Sequence, residues 1–547
     1  MIAAINVDNK KWVELTEGFE IYHEAWNELA QSFLIPEVVA LLAKLHRQFE
    51  PERQTLLRSR HFRQQKYNEG EVPQYNPQST AATSEWKINP LPQELLQRRV
   101  EITGPINSAK MVIQMLSRNP EGNRADCAML DFEDSMKPSW QNVMTGMKNL
   151  IGACAYTLVH VEGEKIYKLD PNDMPILMVR VRGLHLDESN ITVDGRPLSA
   201  GLLDFVLSFY YTARTLINQG KTPKYYVPKT EDYREARWWN DLFTLMEKEL
   251  RIPIGTMKAT FLIETLPAAF QMEEILYEIR DHAAGLNVGR WDKIFSDIKI
   301  LRNHLNRVLA DRSHINLERP WMLNYAKRLI KICHIHGAMA IGGMSAFTPG
   351  KTPEKRAEQT AKVLEDKRLE ALMGHDGCWV SHPYFIGYAM SAFTRENQLD
   401  VTLTEFPKFP NIMPEETGPK TIKGLRKNVS VGIAYMQGWN NGIGCVSWDD
   451  LMEDLATLEI SRVQVWQWLH HYVSLDDGTE VNRELVKRVF KEEYEMIIGE
   501  FTSTSKQIPD DEFRHILNQF SKARHDAERI FTSEDFQDFL TLQSELA

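Results

Sequence analysis

The sequence predicts an α/β chain built on a (β/α)8 barrel and followed by a helical tail. Three observations predict it. Between Val100 and Ser381 eight short apolar runs alternate with helix-length amphipathic segments, the count of a closed barrel. Charged residues fall at or just past the ends of these runs. Beyond about Pro410 the apolar residues keep a helical period and no further strand is expected.

The first ninety residues read as a helix, with apolar positions at Val38, Val39, Leu41, Leu42 and Leu45. A Gln/Asn/Pro/Ser-rich stretch from Gln64 to Ser84 then reads as a mobile connector. The eight strands are Val100 to Thr103, Cys127 to Asp131, Ile176 to Arg182, Tyr225 to Lys229, Ala259 to Glu264, Ala284 to Val288, Ala338 to Ile341 and Cys378 to Ser381. An open doubly wound sheet presents the same alternation with a strand more or fewer. The charges favour the barrel: Asp131, Arg180, Lys229, Glu264, Asp292 and His382 follow different runs, and in a barrel those ends share one mouth. Helices are expected at Gly424 to Trp439, Leu451 to His470, Asn482 to Phe501 and Asp510 to Phe520. Uneven spacing between strands excludes a solenoid.

A chain of 547 residues with 43% apolar and 25% charged residues has material for two to four folded domains. Its net charge of −11 repels polyanions, so no nucleic-acid partner is expected. Five cysteines without paired spacing suit a reducing cytoplasm. Met1 to Asp8 lacks a basic segment leading into an apolar one, and no run approaches 18 apolar residues, so neither export nor membrane insertion is expected. The last residues, Ser544-Glu545-Leu546-Ala547, are not a peroxisomal Ser-Lys-Leu signal.

Asp131, Glu133 and Asp134 place three acids directly after a strand, which suits a helix cap as well as a site. Glu264 and Asp292 end neighbouring strand units; if both face the mouth, two like charges need a cation or a proton between them. Magnesium suits two carboxylates with open coordination positions. Unrelated surface acids would give the same spacing. Arg180 and Arg182, at period two, are expected on one face of a strand, paired with acids or offered to an oxyanion. Gly342-Gly343 suits a tight turn or a close backbone approach to a ligand. Cys333 to His336 has no second pair at zinc spacing and reads as a helix end; Cys378 reads as a core thiol; His470-His471 reads as packing. Gly285 to Arg290 lacks a dinucleotide fingerprint. Pattern alone does not select Asp454.

Asp131 to Ser135, Arg180 to Leu186, Ile263 to Pro267, Gly285 to Asp292 and Leu451 to Arg462 together resemble the malate synthase family, isoform A type. Arg98 to Pro105, Tyr226 to Thr230, His375 to Trp379 and Trp466-Gln467-Trp468 follow the same family pattern, so the resemblance runs from about Arg98 to Phe539. It implies an N-terminal helical clasp (1–95), a barrel carrying the site (96–405) and a C-terminal helical plug (406–547). It also implies Mg²⁺-dependent condensation of acetyl-CoA with glyoxylate to malate and CoA, in a cytoplasmic protein that is, by analogy with bacterial-type relatives, a monomer. By motif position, Glu264 and Asp292 would hold Mg²⁺, Asp454 would deprotonate the acetyl methyl and Arg180 would stabilise the enolate. Gly289, Arg290, Trp291 and Trp379 would be the cofactor-binding residues, with backbone N–H groups near Gly289 to Asp292 on the glyoxylate carboxylate, and Asp131, Glu133 and Asp134 would support metal-bound water. Lys229, the end of the Trp379 strand and the barrel-to-plug seam are the expected neighbours of CoA.

Two departures stand out: Ser447-Trp448-Asp449-Asp450 replaces the Pro-Ile-x-x of many members, and Leu455 and Leu458 stand where alanines are common. Two rival readings remain, a reversible acyl-CoA lyase on a related barrel and a scaffold that has lost turnover. The helical tail bearing Asp454 disfavours the first, and the presence of all four proposed catalytic residue types disfavours the second.

Overall fold

The computed structural model describes residues 11–504 and 508–542. The readings made on Met1 to Asp8 and on Ser544 to Ala547 lie outside these residues. All eight expected runs form barrel strands: β1 (Val100–Pro105), β2 (Cys127–Asp131), β3 (Ile176–Arg180), β4 (Lys224–Val227), β5 (Lys258–Ile263), β6 (Ala283–Val288), β7 (Met339–Ser345) and β8 (Gly377–Val380). They close in the order β4-β5-β6-β7-β8-β1-β2-β3. Every pairing around the barrel is parallel, as right-handed βα units require. Register matters at the mouth: the β2–β3 pairing sets Asp131 beside Arg180, and a slip of one residue would turn either side chain to the opposite face.

The barrel interior is packed. Cys127, Met129, Met178, Tyr226, Leu262, Met339, Ile341 and Trp379 fill it, around a buried polar centre. There Arg98 Nε donates to Glu101 Oε1 at 2.7 Å, while Arg98 Nη2 donates to the Tyr226 hydroxyl at 2.9 Å and Trp379 Nε1 to Glu101 Oε2 at 3.0 Å. Every charge there has a partner, the condition for burying it. Gly377 opens β8 where a Cβ would lie 1.7 Å from the Arg98 carbonyl oxygen. Gly377→Ala is therefore expected to cost about 3 kcal/mol, because the backbone of the closing strand must shift. Thermal unfolding would read this as a Tm lower by several degrees.

The N-terminal region differs from a helix followed by a loop. A hairpin of Trp12–Thr16 and Phe19–Tyr22 joins Asp187–Val193 and Arg196–Ser199 in a four-stranded antiparallel sheet. Helix Pro36–Asn68 lies along the outside of the barrel and reaches it through two arginines. Arg53 donates to the carbonyls of Leu184 and Leu186, and Arg60 to that of Lys229. The expected mobile connector is a correction: Tyr75 packs on Phe270 and Phe409, with ring centroids 4.7 and 5.2 Å away, and its hydroxyl donates to the Pro410 carbonyl at 2.8 Å. Its polar composition signals absence of regular structure, and the packing fixes it all the same. A further hairpin, Val159–Glu162 with Lys165–Lys168, projects from the β2–β3 connection.

The tail is helical at Ile422–Asn440, Leu455–His470, Arg483–Thr504 and Asp510–Phe531, with its own apolar core. Contrary to expectation it also carries strands. Val446–Trp448 and Leu451–Glu453 form a hairpin whose turn residues Asp449 and Asp450 have φ of 47° and 61°. Two consecutive left-handed residues make the tight turn that matches strand twist, and Asp tolerates that conformation. The helix expected from Leu451 therefore starts at Leu455. It is buried on nearly every side and docks through Gln464 Nε2 on the Ala310 carbonyl and Trp468 Nε1 on that of Leu309. No helix among the described residues is long and apolar enough to cross a membrane.

Candidate active site

The strand ends enclose a cavity of about 80 Å³ between the barrel mouth and the 446–457 segment. Asp134, Arg180, Glu264, Gly289, Arg290, Trp291, Asp292 and Trp379 line it from the barrel, and Cys445, Met452, Asp454 and Thr457 from the tail. The proposed base, enolate stabiliser, metal ligands and binding residues thus border one space, although they come from five barrel units and the tail, while Asp131, Glu133 and Lys229 lie behind its wall.

Arg180, at the end of β3, makes a two-pronged contact with Asp131: Nε to Oδ1 at 2.7 Å and Nη2 to Oδ2 at 2.6 Å. Burial would raise the Asp131 carboxyl, but the Arg180 guanidinium and the Ser135 hydrogen bonds hold it below its usual range. Arg180 Nη1 is left with longer contacts, 3.4 Å to Glu133 and 3.8 Å to Asp134. It is the prong available to a ligand. Arg182 does not share this face. β3 ends at Arg180, and Arg182 turns to Asp204 and Glu188 at 2.8 and 2.9 Å, so strand periodicity fails where the strand stops.

Glu264 follows β5, and its Oε1 accepts the backbone N–H of Lys229 at 2.7 Å. Glu264 Oε2 and Asp292 Oδ1 are buried without a hydrogen-bond partner. Gly289 allows the approach, since a Cβ there would lie 2.5 Å from that of Glu264. Burial first and then the neighbouring carboxylates push the Asp292 carboxyl well up, against the pull of Lys229. Two hard oxygen donors with unused lone pairs beside an open cavity fit a divalent cation that keeps water or substrate ligands. Among the described residues no group of three or more His, Cys, Asp or Glu side chains is arranged to hold a metal ion by itself.

Asp292 lies in the first turn of helix Arg290–Ile300, where the first intrahelical bond runs from Lys293 N–H to the Gly289 carbonyl. The N–H groups of Arg290, Trp291 and Asp292 thus have no partner within the helix, an arrangement suited to a carboxylate. The Arg290 guanidinium is engaged elsewhere, with Asp366 at 2.8 and 3.0 Å and with the Met344 carbonyl. It reaches them beside Gly343, where a Cβ would lie 2.6 Å from Arg290 Nε. The glycine pair therefore accommodates protein side chains.

Asp454 caps helix Leu455–His470: its Oδ1 accepts the Thr457 N–H at 3.3 Å, and its own N–H donates to Thr457 Oγ1 at 3.0 Å. The hairpin before it is sewn to the barrel rim by Met452 N–H on the Ala346 carbonyl (2.7 Å) and Thr348 N–H on that of Asp450 (2.9 Å). Arg312 fastens the other side through Glu453 at 2.9 Å and Ser461 at 3.1 Å. Burial, then the charge of Asp134, pushes the Asp454 carboxyl up to about 7, despite Arg180 and Lys229. A carboxyl poised near neutrality at a cavity wall is what a proton-transfer site needs.

Two sequence expectations change. Lys229 is buried among Glu133, Asp134, Glu264 and Asp292, so it is no surface contact for CoA. His382 lies beside the cavity, in a larger groove of about 790 Å³ lined by Arg118, Lys168, Lys351, Arg356 and Tyr384. The weaker candidates are structural: His334 bonds Asp376 and His336 bonds Glu273, both at 2.9 Å, while Cys378 is buried and His470 stacks on Trp466. Sequence reasoning missed the central place of Lys229; only its position after a strand gave any signal.

Family models described as malate synthase, TIM barrel domain, malate synthase, C-terminal, and malate synthase, N-terminal domain, match residues 176–408, 419–545 and 33–81. The chain is 41% identical over 526 residues to malate synthase A of Escherichia coli K12, covering 94% of this chain and 96% of that protein. It is 42% identical over 529 residues to malate synthase of Myxococcus xanthus, covering 94% of each. It is 39% identical to the glyoxysomal malate synthase of Glycine max, over 98% of this chain and 95% of that one.

Proposed function

Since the chain belongs to the malate synthase family and is an acyltransferase of that kind, we propose that it condenses acetyl-CoA with glyoxylate, with Asp454 as base, Arg180 as enolate stabiliser and Glu264 and Asp292 as Mg²⁺ ligands. The single observation that carries this reading is the convergence of Asp454, Arg180, Glu264 and Asp292 on one cavity.

Bound to Glu264 and Asp292, Mg²⁺ supplies Lewis-acid polarisation of the glyoxylate carbonyl and offsets negative charge. The N–H groups at Arg290 to Asp292 hold the glyoxylate carboxylate, with Trp291 and Trp379 as walls. Asp454 removes a proton from the acetyl methyl, and the electron pair shifts onto the thioester oxygen. Arg180 Nη1 donates to that oxygen while Asp131 fixes the guanidinium plane. The enolate carbon then attacks the glyoxylate carbonyl carbon, giving malyl-CoA after protonation. Water cleaves the C–S bond, the thiol leaves with a proton, and malate remains. Asp131, Glu133 and Asp134 fix the cations and waters around this centre. Asp454 stands on a hairpin bonded to the rim, so the base is positioned before substrate binds.

We place the CoA phosphates in the basic groove of Lys168, Lys351 and Arg356, beside the end of β8. The double substitution Lys351→Glu with Arg356→Glu is expected to raise KM for acetyl-CoA about tenfold and leave kcat unchanged, the signature of lost uniform binding. Steady-state kinetics at fixed ionic strength checks it. The division at residues 95 and 405, a monomeric state and a cytoplasmic location complete the proposal. Five free thiols, four of them buried, accord with a reducing compartment.

The deciding assay is release of free thiol that requires acetyl-CoA and glyoxylate, with and without Mg²⁺. Metal-dependent thiol release supports the synthase. A folded protein that releases none, yet splits malyl-CoA to acetyl-CoA and glyoxylate, would be a lyase.

A further inference from the structure

Lys229 follows β4, and its ammonium faces four carboxylates. Nζ lies 2.6 Å from Asp134 Oδ2, 2.9 Å from Asp292 Oδ1, 3.2 Å from Glu133 Oε1 and 3.6 Å from Glu264 Oε1. Only the Asp134 contact has hydrogen-bond geometry; Asp292 Oδ1 remains without a hydrogen bond. The backbone of Lys229 is left-handed, with φ of 55°, a conformation that a residue with a Cβ adopts at a cost. It is held there from both sides. Its N–H donates to Glu264 Oε1 at 2.7 Å, and its carbonyl accepts from Arg60 Nη2 at 2.7 Å, with Arg60 fixed by Glu235. The strained turn thus aims the N–H at one proposed metal ligand and the ammonium at the other.

Carboxylates this close and this buried repel one another unless a cation or a proton lies between them. A lysine ammonium supplies one charge and three donors on a flexible stem. A divalent ion at Glu264 and Asp292 would lie close to that ammonium, and the two cations repel.

We propose that Lys229 is an internal counter-cation of the proposed metal site: without metal its ammonium holds Glu264 and Asp292 together, and on metal binding it keeps Asp134 and releases Asp292, so that its charge limits how tightly the divalent cation binds. This rests on the reading of Glu264 and Asp292 as ligands. Lys229 is therefore a positioning residue, and removing its charge has opposite effects on the empty and the loaded protein. The empty cluster loses its cation and is destabilised, while the incoming metal loses a competitor.

The test is Lys229→Met in the full chain, with Mg²⁺ binding measured by titration calorimetry at about pH 8 and thermal unfolding followed in EDTA and in saturating Mg²⁺. Relative to wild type, the variant is expected to unfold at lower temperature in EDTA, to bind Mg²⁺ at least about tenfold more tightly, and to gain more Tm from the metal. Lys229→Arg, which keeps the charge, is expected to stay within about threefold of wild-type affinity. Unchanged or weaker binding by folded Lys229→Met overturns the proposal. A variant that folds only with Mg²⁺ supports it. If Lys229→Met folds in neither condition, Lys229→Gln, whose amide still donates to Asp134, takes its place with the same expected and overturning results. Wild type that binds no Mg²⁺ would overturn the metal reading itself, whereas wild-type binding left unaltered by the substitution would sink only the role of Lys229.

Discussion

Asp454→Asn is expected to lower kcat about 10³-fold while the protein folds normally and unfolds at a higher temperature than wild type. The amide keeps the shape of the carboxyl and its capping of Thr457, and Asn caps a helix as well as Asp does. What it loses is the ability to accept a proton from carbon. The gain in stability follows from the carboxyl at about 7. A carboxyl whose folded pKa lies above its unfolded value contributes a penalty that is absent below the unfolded value, grows as pH rises between the two and is complete above about 7. A rise from 3.8 to about 7 corresponds to about 4 kcal/mol at pH 8. Asn carries no such penalty, so its Tm advantage should widen from pH 4 to pH 8. The wild-type rate gives the matching sign: a base must be ionised, so kcat/KM should rise with pH through about 7 and then level. Activity of the Asn variant within tenfold of wild type would exclude Asp454 as the base.

Glu264→Gln is the second large effect. The amide carbonyl still accepts the Lys229 N–H, so the strained turn and the fold should persist. Half the ligand charge is lost, and hard cations bind neutral amide oxygen less well than carboxylate. Mg²⁺ affinity is expected to fall on the order of 100-fold, and kcat at ordinary Mg²⁺ to fall with it. Raising Mg²⁺ should recover part of the activity, because the base and Arg180 are untouched. Calorimetric affinity equal to wild type would remove Glu264 from the ligand set.

How far these residues were legible in the sequence differs from one to the next. Glu264 and Asp292 stood out because each follows a compact apolar strand, and barrel strands deliver their ends to one face. Arg180 stood out for the same reason, but its pairing with Arg182 did not survive, since period two holds only inside a strand. Asp454 was invisible to pattern: an acid before a helix is an ordinary cap, which it also is, and only the family resemblance marked it. The hairpin before it escaped notice because two three-residue strands carry almost no periodicity. Its turn signal, Asp449-Asp450, stood out only as a departure from the family pattern. Tyr75 was hidden by the polar residues around it, since composition reports the average of a segment and not the one ring that packs.

Local pattern therefore determined the eight strands, their order of helices and the helical tail, because hydrophobic period and turn residues are written within a few neighbouring positions. Tertiary structure alone decided what those ends do to one another. Asp454 rises to about 7 because burial and Asp134 act on it across 320 positions of sequence, and Lys229 lies among four acids from three other loops. Coulomb energy and desolvation depend on distance through space and on exclusion of water, and neither is fixed until the barrel has closed and the tail has docked on its mouth.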